Sequence, residues 1–262
     1  MIPIRDNIPS RTFPIVNYLL IAACVVVFVM QPRGENEGQI FAERYGLVPV
    51  RVFEPAKSHS YSYDVEIATF FGIEKRTVRH DIAPAAVPDW LTLLTCIFLH
   101  GGLAHILGNL WFLFIFGDNV EDRLGHFGYL LFYLACGIAA SATQLAVASD
   151  SPIPTIGASG AIAGVLGAYF YLYPHAKVQT LVPVVLILML VVPAPLFLGV
   201  WFLLQFLQSS PGVAWWAHIG GFVAGFVVVV LLGRGHHLRP AVETRRPGTD
   251  HAGYYRVRRG RW

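Results

Sequence analysis

Four polar side chains stand in stretches of this chain that are otherwise apolar: His105, Asn109, Ser159 and His218. Their types suit acyl transfer. A Ser hydroxyl is inert at neutral pH unless a base takes its proton, and a neutral His is the usual base. His105 and Asn109 stand four residues apart and share one helix face. From there both can donate hydrogen bonds to an oxyanion, and losing one such donor typically costs about 10²–10³ in rate. Ser159 lies in GASG (157–160), after the loop DSPIPTI and before the run AIAGVLGAYFYLY. That order predicts a helix N-terminus, where free N–H groups and the positive dipole end favour developing negative charge. Gly157 and Gly160 allow close backbone approach. No acidic residue lies within these stretches to orient His218. The residues therefore read as a dyad, with Ser159 as nucleophile and His218 as general base.

The elements that must position them are membrane helices. Of 262 residues, 55% are hydrophobic and 13% charged, against about 25% charged in a soluble domain. No Asp, Glu, Lys or Arg occurs at 12–32, 90–117, 124–149, 151–176 or 178–233. One helix needs about 20 apolar residues to cross the hydrocarbon core. Six spans are expected, at about 13–31, 102–118, 126–147, 158–173, 194–209 and 215–233. The fold class is then an all-α membrane protein, a six-helix bundle. Arg5 and Arg11 precede the first apolar run as they would in a signal peptide. No small-x-small cleavage pattern follows, so it is read as an uncleaved span.

Charge sets the orientation. The segment 234–262 carries eight Arg against Glu243 and Asp250, whereas 33–89 carries nine acidic and seven basic residues. Positive charge marks the cytoplasmic side, so both termini are expected inside and the first loop, 33–89, outside. At 1.5 Å per residue, His105, Ser159 and His218 lie about 20, 22 and 24 Å from the cytoplasmic ends of their helices. Spans two, four and six run in the same direction, so all three reach one level, some 6–10 Å below the outer surface of a core roughly 30 Å thick. Pro183, Pro193 and Pro195 interrupt 178–209, which could hold one span or two. Only one brings His218 to the side of Ser159, with 178–192 partly embedded ahead of it.

Other segments read more plainly. SYSYDVEIATFF (60–71) and EKRTVRHDI (74–82) can pair as a hairpin, and the basic tail 234–262 reads as disordered. Cys24, Cys96 and Cys136 fall in apolar windows without CxxC spacing and read as packing residues. Gly160-x-x-x-Gly164 and Gly221-x-x-x-Gly225 would press spans four and six together. Each feature has a plainer reading alone. A Ser near a helix N-terminus is most often a cap, an intramembrane His more often bonds a neighbouring helix, and His100 reads as an interfacial residue at a loop–helix junction. The combination points to chemistry.

At these residues the sequence resembles the rhomboid intramembrane serine proteases. The matching stretches are HGGLAHILGN (100–109), EDR (121–123), GASG (157–160) and AHIGGFVAG (217–225). The resemblance implies a Ser159–His218 dyad, an oxyanion hole from His105, Asn109 and the Ser159 N–H, and a bracing role for Glu121 and Arg123 between spans two and three. It also implies cleavage of peptide bonds in or near transmembrane segments, with substrate entering between the fifth and second helices. Ala163 stands where some members carry a Tyr stacked on the catalytic His, which leaves open how His218 is packed and oriented. No cofactor or metal is expected, since zinc spacing such as HExxH is absent. The expected partners are the lipid bilayer and transmembrane protein substrates, with no nucleic acid; no oligomeric state is set. A multi-pass protein of a bacterial-type cell membrane is expected. The rival reading is an inactive rhomboid-like protein that binds and escorts membrane proteins, and a further rival is a transporter or channel.

Overall fold

The computed structural model describes residues 1–54, 57–69, 72–183, 187–207 and 213–240. Most of the tail expected to be disordered, 241–262, lies outside the described residues, as do 208–209 of the fifth expected span. The chain begins with β1 (Ile2–Asp6) and α1 (Ile15–Met30). The first loop holds α2 (Glu35–Tyr45), α3 (Pro49–Phe53), β2 (Ser60–Thr69) and β3 (Gly72–Asp81). Short turns and α4 (Thr92–Thr95) lead into α5 (Leu103–Leu124), α6 (His126–Val147) and α7 (Ser159–Leu172). Strands β4 (Lys177–Pro183) and β5 (Ile187–Pro193) precede α8 (Ala194–Leu207) and α9 (Trp215–Arg234).

Mostly helical is accurate; all-α is not. β2 and β3 form the hairpin expected in the first loop, in register from Ser60↔Asp81 to Thr69↔Gly72. A second sheet was not foreseen. β4 pairs antiparallel with β5, and the N-terminal β1 adds to the other edge of β4. Between Lys177 and Pro193 the chain is rich in Val, with Thr180 and Ile187, β-branched residues that suit a pleated sheet better than a helix crowded at χ1. One helix, α8, follows in the window that was open to one span or two.

Among the described residues three helices, α5, α6 and α9, are long and apolar enough to cross a membrane, with α1, α7 and α8 shorter but apolar. In the long three, only 44%, 33% and 28% of the apolar window is buried inside the protein. Their remaining surface includes Leu103, Leu107, Phe114, Leu131, Val223 and Leu231, all exposed, as lipid contact requires.

At the centre lies α7, in which residues 160–169 are all buried. Its glycines make that possible. A Cβ on Gly160 would meet Ala140 at 2.6 Å, and one on Gly164 would meet Cys136 at 2.5 Å. A Cβ on Gly221 would run into the Gly160 carbonyl, and one on Gly225 into that of Gly164. Those pairings advance together along both chains, so α7 and α9 run parallel with touching backbones; the pairings with α6 run oppositely. The small-x3-small patterns act as expected. Cys24, Cys96 and Cys136 are free and buried.

The far end of the bundle is closed by polar contacts. Glu121, 1% exposed, accepts from the N–H groups of Val16 (3.0 Å) and Asn17 (2.7 Å) at the start of α1, and from His126 Nδ1. Arg123 Nε donates instead to the Arg239 carbonyl at 2.7 Å. Among the described residues these two do not pair with each other; each braces a different segment against the end of α5. Asp6 accepts from Asn119 Nδ2 at 2.9 Å and from the Tyr169 hydroxyl, which ties β1 to α5 and α7. Burial pushes the Asp6 carboxyl up to about 6.

Candidate active site

Ser159 is the first residue of α7. With 14 residues, this helix is about 21 Å long, shorter than a hydrocarbon core of roughly 30 Å. The loop entering it is clamped. Leu47 and Thr155 exchange backbone hydrogen bonds of 3.1 and 2.7 Å, Val50 N–H donates to the Ser151 carbonyl at 3.2 Å, and Gly157 N–H donates to the Cys96 carbonyl at 2.9 Å. The first loop, whose role the sequence left open, thus holds the segment that presents Ser159. Its own anchor is polar. Glu43 is fully buried and accepts from Ala83 N–H (2.9 Å) and His80 Nε2 (2.8 Å), and Arg51 donates to the Glu43 and Ala83 carbonyls.

His218 lies in the first turn of α9. Its Nε2 is 2.8 Å from Ser159 Oγ, and its Nδ1 is 2.7 Å from Gln205 Oε1 on α8. The Trp201 ring, one turn back on α8, lies 6.0 Å from the imidazole at 39°. Two α8 residues therefore contact the ring at a site where Ala163 provides no aromatic partner.

Opposite Ser159, His105 and Asn109 project from the start of α5. His105 Nδ1 accepts from Gly101 N–H at 3.3 Å, which leaves the proton of a neutral ring on Nε2. That nitrogen faces Gly157, where an added Cβ would lie 2.8 Å away; the same Cβ would be 3.7 Å from Asn109 Nδ2. Gly157 has φ +125°, a conformation that strongly favours glycine. Asn109 Nδ2 is buried and has no hydrogen-bond partner among the described residues. Two donors without acceptors among the described residues thus converge beside the backbone that leads into Ser159. All four polar residues line one recess of about 690 Å³.

The structure places these four around one recess and adds Gln205, which the sequence reading omits. The available signal was the one that selected the others, a polar side chain inside a charge-free window. The same signal also selects structural residues: Asn17 is 1% exposed in α1 and ties Leu113 O and the Tyr129 hydroxyl together, far from the recess. His100 stands at the loop–helix junction before α5, as expected. It is buried, and its ring lies 5.2 Å from that of His105, edge-on.

Comparison with known proteins decides the family. The Rhomboid domain model matches residues 87–235, more than half of the chain. The chain belongs to the rhomboid family. This rhomboid is 32% identical over 202 residues to the Rhomboid protease GluP of Bacillus subtilis, covering 76% of its own chain and 36% of that protein. It is 39% identical over 153 residues to the RHOMBOID-like protein 4 of Arabidopsis thaliana, covering 55% of this chain and 35% of that one. With the mitochondrial Rhomboid protein 1 of Saccharomyces cerevisiae it shares 30% over 171 residues, 61% of this chain and 45% of the other. The chain thus spans less than half the length of each. Family and apolar helices together make this rhomboid a multi-pass integral membrane protein with a helical bundle.

Proposed function

We propose that this rhomboid is a serine endopeptidase that cleaves peptide bonds in or near the transmembrane segments of membrane-protein substrates. One observation carries the reading: the 2.8 Å contact between Ser159 Oγ and His218 Nε2, at the half-buried start of a helix. His218 takes the hydroxyl proton as Ser159 attacks the scissile carbonyl, then returns it to the leaving amine. Water deprotonated by the same imidazole releases the acyl group. His105 Nε2–H, Asn109 Nδ2 and the Ser159 N–H stabilise the oxyanion, to which the first two are free to donate. No metal or cofactor takes part.

In this reading α1, α5, α6, α7, α8 and α9 are six spans with both termini cytoplasmic, in the expected 1–233 membrane domain, and the window 178–209 crosses once. Gly157, Gly160, Gly221 and Gly225 set the approach of the helices, and Glu121 and Arg123 brace the cytoplasmic end. The recess opens toward the outer side, from which water enters. The proposed location is a bacterial-type cell membrane, in keeping with the extent of the match to the B. subtilis relative.

Purified protein in detergent, mixed with a model transmembrane substrate, tests the proposal beside Ser159→Ala and His218→Ala. Cleavage should disappear in both variants, and a fluorophosphonate should label Ser159 in the unsubstituted protein. Undiminished cleavage in either variant would sink the dyad. Substrate binding without cleavage or labelling would support the escort reading instead.

A further inference from the structure

We infer that Gln205 is a positioning residue for the reaction: its side-chain carbonyl holds His218 in the tautomer that can accept the Ser159 proton. The inference rests on the protease reading above and adds to it a third, uncharged member of the site, supplied by α8.

The polarity of the whole chain of groups follows from one backbone carbonyl. The oxygen and nitrogen of a Gln amide are distinguished by their partners. Gln205 Nε2 lies 2.9 Å from the carbonyl of Trp201, one turn back on the same helix. A carbonyl only accepts, so the amide NH₂ must face it and Oε1 must face the imidazole. Oε1 lies 2.7 Å from His218 Nδ1 and can likewise only accept, so Nδ1 carries the proton. A neutral imidazole has one N–H. Its Nε2 therefore presents a lone pair to Ser159 Oγ, 2.8 Å away. Trp201 carbonyl, Gln205, His218 and Ser159 form one directed relay of donors and acceptors, with each orientation fixed by the group before it.

An amide suits this place better than a carboxylate. Gln205 is 3% exposed, within a window without charge from 178 to 233. In a soluble triad an Asp fixes the tautomer and balances the imidazolium. Within a membrane span an unpaired carboxylate is costly to bury, whereas an amide fixes the tautomer without a net charge. The Nδ1–H···Oε1 bond also persists, and strengthens, when His218 becomes cationic during attack, because hydrogen bonds to charged groups are the stronger ones. Because Gln205 and Trp201 both reach His218 from α8, the base is correctly set only while α8 is seated against α9.

Two measurements on the full chain in detergent test this. In the first, kcat and KM on a transmembrane substrate are compared for the unsubstituted protein, Gln205→Leu and Gln205→Glu. Leu keeps the bulk and loses the acceptor: kcat should fall by about 10- to 100-fold, with KM within about twofold and an unchanged unfolding midpoint. Glu keeps an acceptor at the same reach and should recover most of the lost kcat. In the second, ¹⁵N spectra of labelled histidine report the tautomer of His218 without any turnover. Nδ1–H should dominate in the unsubstituted protein and give way to Nε2–H or a mixture in Gln205→Leu. A dominant Nε2–H form in the unsubstituted protein overturns the inference. So does a Gln205→Leu protein with unaltered kcat and tautomer. Cleavage that survives Ser159→Ala is the separate outcome that removes the protease reading, whatever the tautomer.

Discussion

Gly221 packs its Cα against the carbonyl of Gly160, one residue from Ser159 and three from His218. A close backbone approach of α7 and α9 thus lies beside the Ser–His hydrogen bond, and the spacing of the two helices sets the spacing of the two reactive groups. Gly221→Ala places a methyl group where it meets that carbonyl, a backbone atom that cannot rotate away. Overpacking of this kind costs about 1–3 kcal/mol, and a displacement near 1 Å at reacting atoms costs on the order of 10² in rate. Cleavage should fall at least that far. Gly128→Ala, where the added Cβ has an ordinary 3.6 Å contact, should leave activity within about twofold. Comparable activity in the two variants would separate helix spacing from catalysis.

Asn109 and His105 should report on the transition state. Asn109→Ala removes a buried donor that has no partner among the described residues. Its loss should lower kcat by about 10²–10³, with little change in KM, and slow fluorophosphonate labelling of Ser159. His105→Ala should behave similarly. A defect confined to KM would make these residues substrate contacts rather than oxyanion donors.

Glu121 tests the opposite end. Glu121→Gln retains the shape but turns an NH₂ toward one of the donors that the carboxylate now receives from Val16, Asn17 and His126. A buried donor left unsatisfied costs about 1–3 kcal/mol. The unfolding midpoint in detergent should drop, while kcat per folded molecule stays within about twofold. A loss of kcat at unchanged stability would contradict the bracing role.

Asp6 gives a pH dependence with a definite sign. Burial raises its carboxyl from an ordinary 3.8 to about 6, so the fold favours the protonated form. That contribution is complete below about pH 4 and is lost as pH rises through about 6. Asp6→Asn cannot ionise. Between pH 4 and 7 the unsubstituted protein should lose about 1–2 kcal/mol relative to the variant, the full value of such a shift being reduced by remaining solvent contact. Parallel curves for the two proteins across that range would refute the assignment.

The legible part of the fold was what lipid imposes. Charge-free windows located the six apolar helices, and one of their described ends moved by more than two residues. The second helix continues past 118 to Leu124 because its last acidic residues find partners in α1 and the N-terminal segment. The stretch after Lys177 forms strands because β1, from the other end of the chain, completes a sheet with it. Neither pairing leaves a periodic trace within its own segment, since each depends on residues over 100 positions away.

By itself, the sequence singled out the four polar residues that line one recess. They could be found there because helix rise and the spacing of polar residues and glycines are properties of the chain read in order. Tertiary structure decided how they are oriented. Gln205 meets His218 through the angle at which α8 packs on α9, and the loop before Ser159 is held by Leu47 and Cys96. Such contacts depend on side chains from separate elements converging in three dimensions, and one-dimensional spacing holds no record of that convergence.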